Sequence, residues 1–150
     1  MALTAFFVVL LRYFYNIGFV WMQESYIWMH GLIFLFGASY ALMNDKHVRV
    51  DIFYRLTSEK IKALINIIFS ILFLIPFIIV ISKYSIPYIL KSWDGLEKSR
   101  EAGGIPFLYL YKSCLLLFCI NLFFQTISLI LRCLLVISNK EKKIFFKLIN

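Results

Sequence analysis

Asp45-Lys46-His47-Val48-Arg49-Val50-Asp51 gathers five ionisable side chains into seven residues, in a 150-residue chain that is 62% hydrophobic. Charge is scarce here, so the place where it collects is informative. Upstream, Tyr26 to Met43 is apolar apart from small residues, Ser39 and His30. Downstream, Ile61 to Ile81 is apolar except for Lys62, Asn66 and Ser70. A turn that carries Lys46 and Arg49 between two runs of membrane-crossing length reads as a cytoplasmic loop, because the positive-inside rule counts Lys and Arg rather than net charge.

Composition agrees with that reading. A soluble domain is about 45–50% apolar. This chain exceeds that, with a mean hydropathy of +0.84, and so small a protein could not hide so much Phe, Ile and Leu from water. The expected class is an all-α integral membrane protein, one membrane domain over residues 1–150. The formal charge of +8 sits between apolar runs and in the tail, where cations meet anionic lipid head groups. No soluble basic domain exists to grip a phosphate backbone, so nucleic-acid binding is not expected. Cys114, Cys119 and Cys133 all lie in one apolar run. The five-residue step from Cys114 to Cys119 points those two to different helix faces, which implies neither a metal site nor a disulfide framework.

Four transmembrane helices are expected, over about 1–20, 24–43, 61–81 and 107–135. Met1 to Val20 lacks a charged leader and a small-residue cleavage site, so a removable signal peptide is not expected. Arg12 interrupts this run and must snorkel, pair, or face protein or water. Asn16 follows one turn later on the same face. Trp21 stands where an interfacial aromatic belongs, and a hairpin could bring Glu24 back toward Arg12. In the second run Gly37 and Ala41 form a small-x-x-x-small step that permits close helix approach.

Between spans two and three, residues 47–56 form an amphipathic segment suited to the interfacial plane. Val48, Ile52, Phe53 and Leu56 share one broad side, while His47, Asp51 and Arg55 recur every four residues on the other and Arg49 snorkels. Thr57 or Ser58 can cap the next helix, with Glu59 in its first turn. Pro76 should kink the third span, and Lys83, Tyr84 and Pro87 mark its exit. From Lys91 to Pro106 three cations and three anions cancel, which reads as a solvated loop rather than acid–base machinery, closed by Gly103-Gly104-Ile105-Pro106.

In the fourth span Asn121, Gln125, Ser128 and Arg132 recur at steps of four, three and four, so they share one side of the helix. Polar stripes in lipid face protein. Packing within the chain and packing against a larger membrane partner are both open. The tail, 138–150, interleaves Lys140, Lys142, Lys143 and Lys147 with Ile144, Phe145, Phe146, Leu148 and Ile149, which suits a segment on the cytoplasmic leaflet. With basic loops assigned inside, four spans put both termini in the cytoplasm.

No phosphate-binding loop, metal-ligand set or nucleophile–base pair is visible, so no enzyme activity and no cofactor is expected. Discontinuous helices and inverted repeats of a transporter core are also missing. An alternative of another class is the membrane anchor of a respiratory enzyme, with His30 as a haem ligand. A haem site needs a second ligand at comparable depth, and none is visible. A free-standing assembly factor has no positive support from any residue.

The order Arg12-Tyr13-Phe14, Trp21, Glu24, Gly37-Ala38, His47-Val48-Arg49-Val50-Asp51, Gly104-Ile105-Pro106 and Gln125 resembles the small, DctQ-like membrane subunit of tripartite ATP-independent periplasmic (TRAP) transporters. The resemblance covers nearly the whole chain, and the His-Val-Arg-Val-Asp segment is its most specific part. It implies a non-catalytic four-helix subunit of the bacterial inner membrane that scaffolds a large sodium-coupled permease subunit. It also implies transient contact with a periplasmic solute-binding protein that delivers an organic acid. Under it, Arg12, Trp21 and Glu24 order the first hairpin, His47–Asp51 fixes the interfacial arm, and Gln125 lies on a packing face. Glu97, Ser99, Glu101 and Gly103-Gly104 resemble branches associated with keto acids or similar carboxylates. Only eleven residues precede Arg12, fewer than the family places before its Arg-Tyr pair. Either the first helix is short on its inner side, or the natural start lies upstream.

Overall fold

The structure is a computed structural model that describes residues 1–44 and 58–138. The segment expected to form the interfacial helix, 47–56, and the tail from 139 onward lie outside the described residues. Every regular element among the described residues is helical. In chain order they are α1 (Ala2–Tyr15), α2 (Val20–Met43), α3 (Glu59–Phe69), a π-helical turn (Ser70–Leu74), α4 (Ile75–Asp94) and α5 (Leu108–Ile137).

Three of these stretches are long and apolar enough to cross a membrane: Val20–Met43, Glu59–Asp94 and Leu108–Ile137. The run expected as a single span over 1–20 is broken. α1 has 14 residues, about 21 Å at 1.5 Å per residue, against a hydrocarbon core of about 30 Å. It ends because Asn16 adopts the left-handed conformation (φ 52°), which Asn tolerates better than other residues with a Cβ. The amide N–H groups of Asn16 and Ile17 both donate to the Leu11 carbonyl.

The third span shows how proline is absorbed. Pro76 lacks the N–H that would close a helical turn, and its ring crowds the carbonyl of Leu72 four residues back. The turn before it widens, so that the N–H of Ile75 reaches the Ser70 carbonyl, five residues away. The disturbance expected at Pro76 is therefore a π-bulge. Pro87 does not mark the end of the helix. It lies inside α4, which runs on to Asp94, since membrane helices tolerate proline where neighbouring groups re-satisfy the backbone. The true stop is a Schellman motif: Glu97 N–H donates to the Ser92 carbonyl (3.0 Å), Leu96 N–H to the Trp93 carbonyl (3.1 Å), and Leu96 takes a positive φ of 41°. At the start of α3, Ser58 occupies the N-cap position without a side-chain cap bond, and Glu59 lies in the first turn.

Two compact units divide the chain, Met1–Gly37 with Lys83–Phe118, and Ala38–Ser82 with Cys119–Asn150. The first unit buries Ser85, Ile89, Ser92 and Phe118. The second buries Leu42, Ala63, Ser70 and Ile78 together with a row on α5: Cys119, Leu122, Thr126, Leu129, Cys133 and Val136. The most deeply buried side chains of substantial size are Thr126, Cys133 and Ser92. A water-soluble core would bury Phe and Leu. Here Phe14, Leu3 and Phe34 are 82%, 75% and 72% exposed. Lipid is as apolar as leucine, so burying large side chains gains little, and small residues that let backbones approach are favoured instead.

In the first unit Trp28 and Tyr111 stack at 4.8 Å with 17° between their planes. The Tyr111 hydroxyl lies where a Cβ on Gly31 would project. Gly31→Ala should therefore displace Tyr111 from Trp28 and destabilise the chain by about 1–3 kcal/mol, read as a lowered Tm in detergent. Tyr111→Phe should recover part of that loss in the double variant, whereas strictly additive losses would contradict the contact.

Candidate functional site

The first unit is organised by two carboxylates that hold the loop between α4 and α5. Glu24 projects from the first turns of α2. Its Oε1 accepts a hydrogen bond from Ser99 Oγ, and its Oε2 accepts the Ile105 backbone N–H at 2.6 Å. The loop is shaped to reach it. Ser99 N–H donates to the Ile105 carbonyl (3.3 Å), Gly104 N–H to the Glu101 carbonyl (3.0 Å), and Glu101 N–H to Ser99 Oγ (3.2 Å). Gly103 has a positive φ of 79° that a residue with a Cβ would adopt only with strain. A Cβ on Gly104 would lie 2.7 Å from Glu24 Oε2 and 2.6 Å from Ser99 Cβ. The Gly-Gly-Ile turn is thus a glove for one carboxylate.

The second carboxylate is Glu97. Its Oε2 accepts from Ser92 Oγ at 2.7 Å and pairs with Lys112 Nζ of α5. The Lys112 side chain is only 12% exposed, and its ammonium lies 4.2 Å from the centre of the Tyr88 ring. A cation on an apolar helix is thereby met by a carboxylate and an aromatic face. The bond from Lys112, with help from the Ser92 hydroxyl, holds the Glu97 carboxyl below the ordinary carboxylate range. Beside this pair, Trp93 Nε1 donates to Ser113 Oγ (2.9 Å) and packs edge-on against Tyr109 at 4.8 Å.

Several expectations change against this geometry. Glu24 meets Ser99 and Ile105, not Arg12. Arg12 lies exposed in the last turn of α1, before the left-handed Asn16 turns the chain, and forms no ion pair among the described residues. The loop expected as merely solvated is pinned at both carboxylates. Neither Glu97 nor Lys112 was singled out for this, although a lysine inside the Phe107–Leu135 run was the available signal.

The other expected positions are dispersed. Trp21 is exposed, its ring 6.1 Å from Phe19. A Cβ on Gly37 would touch nothing, and Ala41 is half-buried. Asn121 and Arg132 are exposed on α5, while Gln125 and Ser128 are partly exposed. None of these four takes part in a hydrogen bond or ion pair among the described residues. His47, Arg49 and Asp51 lie outside the described residues. His30 is exposed on α2, and no group of three or more His, Cys, Asp or Glu is placed to hold a metal ion among the described residues.

Among the described residues the arrangement is a set of structural clasps. The family model for the DctQ component of tripartite ATP-independent periplasmic transporters matches residues 1–136. The chain belongs to the DctQ family. Nothing among curated proteins or solved structures matches it. As a DctQ protein it is a membrane component of a transporter, and its clasps shape a subunit of a larger machine. The respiratory-anchor alternative gains no support from the family match.

Glu24→Ala or Gly104→Ala should free the loop and speed tryptic cleavage after Lys98 and Arg100 by about tenfold, since two bonds to a charged acceptor are lost. Arg12→Ala should leave the cleavage rate unchanged. Equal effects from Glu24→Ala and Arg12→Ala would contradict the assignment.

The Glu97 contact gives a pH signature. Its pKa falls on folding, so its stabilisation is present above the ordinary carboxylate range and disappears as pH drops through the lowered value. Glu97→Gln should lower the Tm at pH 7, and its gap from the unsubstituted chain should close on acidification. A gap independent of pH would rule out this pairing.

Proposed function

We propose that the chain is the non-catalytic small permease subunit of a TRAP transporter, holding a large sodium-coupled permease subunit in the bacterial cytoplasmic membrane. The transported solute is an organic acid delivered by a periplasmic binding protein. In this reading both termini lie in the cytoplasm, which requires the short α1 and the residues up to Phe19 to cross as a broken fourth span beside the three long ones. The observation that carries this reading is the family match over 1–136.

Two physical features support it. The chain exposes large apolar side chains along all three long helices, as a lipid-embedded scaffold requires. The Gly37–Ala41 step on α2 has no neighbour at Gly37 among the described residues, so close approach there is left to another helix. In this reading Arg12, Asn16 and Trp21 set the end of the first helix at the membrane boundary. Glu24 shapes the outer loop, and His47, Arg49 and Asp51 fix an interfacial arm against lipid on the cytoplasmic side. Substrate contacts belong to the other subunits.

The chain should co-purify in detergent with a permease of about a dozen spans, and its deletion should abolish sodium-driven uptake. Transport at full rate by the purified permease and binding protein alone would overturn the scaffold role.

A further inference from the structure

α5 sorts its side chains into three rows. One row, Cys119, Leu122, Thr126, Leu129, Cys133 and Val136, is buried in the chain's own core. On the far side Ile120, Phe123, Phe124, Ile127, Leu131, Leu134 and Leu135 are exposed, and every one is apolar. Between them, about a quarter turn from the buried row at 100° per residue, run Asn121, Gln125, Ser128 and Arg132. The polar groups of this helix segment are therefore not spread over its exposed surface. They are confined to one flank, and the arc opposite the core holds none.

The placement along the axis is as informative. α5 spans 30 residues, so Asn121 and Gln125 lie near its middle, about 20 Å from either end at 1.5 Å per residue. Arg132 is about 8 Å from the C-terminal end and can reach the membrane boundary by snorkelling. The two amides cannot. Each presents donors and an acceptor that hydrocarbon leaves unmet. Thr126, by contrast, satisfies its hydroxyl on the Leu122 carbonyl at 2.7 Å. The helix thus meets its buried polar group internally, and its flanking amides have no partner among the described residues.

We propose that the Asn121–Gln125–Ser128–Arg132 row is a hydrogen-bonding seam against one transmembrane helix of the large permease subunit. That helix carries amide or hydroxyl side chains opposite Asn121 and Gln125, and a carboxylate opposite Arg132. The proposal rests on the scaffold reading above and adds to it the face and the chemistry of the contact. Complementarity selects a protein helix over lipid as occupant, because acyl chains offer no partner to an amide at mid-membrane depth.

The test uses the chain co-expressed with its own permease subunit. The photo-crosslinking residue p-benzoylphenylalanine replaces Gln125 in one variant and Leu131 in another. Light should join small and large subunits through position 125 and not through position 131. In parallel, Asn121→Leu with Gln125→Leu should reduce the permease retained on purification by about tenfold, the loss expected for a few interhelical hydrogen bonds. It should leave the Tm of the isolated chain unchanged.

Adducts from position 131 alone, adducts only with lipid or with a second copy of this chain, or a lowered Tm of the isolated double variant would each overturn the seam. So would failure of position 125 to crosslink while co-purification persists. If the unsubstituted chain does not co-purify with the permease at all, the scaffold reading itself fails, and the seam falls with it.

Discussion

A polar group shielded from water needs a partner, and the clasps of this chain are ways of meeting that demand. Glu24 meets it through Ser99 and the Ile105 amide, Lys112 through Glu97 and Tyr88, and Thr126 through the carbonyl one turn back. Each solution lies inside the chain. The row on α5 finds no such partner among the described residues, and its two amides lie near the middle of the helix. Among the described residues the chain meets its own polar groups around the loop between α4 and α5 and leaves the polar row on one flank of α5 unpaired.

The same constraint explains the core. Hydrophobic burial drives soluble folding because water is excluded, but between helices in lipid that term nearly vanishes. What remains is close backbone approach, and so serines, alanine, threonine and cysteines occupy the tightest positions while phenylalanines such as Phe14, Phe34 and Phe124 face outward. The aromatic contacts at the ends of α4 and α5 serve a different purpose. Trp93 near the end of α4 packs edge-on against Tyr109 at the start of α5, and Tyr111 two residues further on stacks against Trp28 of α2, so the two contacts tie the start of α5 to both helices.

Much of this was legible in the sequence. The helical class, the three long apolar spans and the periodic row on α5 follow from hydropathy and spacing alone. The break at Asn16 was not legible, because a single left-handed residue leaves no trace in an apolar pattern. Nor was the continuation of α4 past Pro87, since the rule that proline ends helices is relaxed in membranes. The charge count of the loop between α4 and α5 suggested mutual cancellation. The real partners come from elsewhere: Glu24 lies 75 residues before Ser99 in the chain, and Lys112 lies on the next helix. Periodicity revealed that Asn121, Gln125, Ser128 and Arg132 share a side. Only the position of the buried row showed that this side is not the chain's own core.

A structure of the chain bound to its permease subunit in a lipid nanodisc, determined by electron cryomicroscopy, tests the central claim most directly. The account predicts Asn121 and Gln125 within hydrogen-bonding distance of polar groups on a permease helix, with the loop between α4 and α5 still folded on Glu24. Density for acyl chains against Asn121 and Gln125, with the permease docked elsewhere, would contradict it.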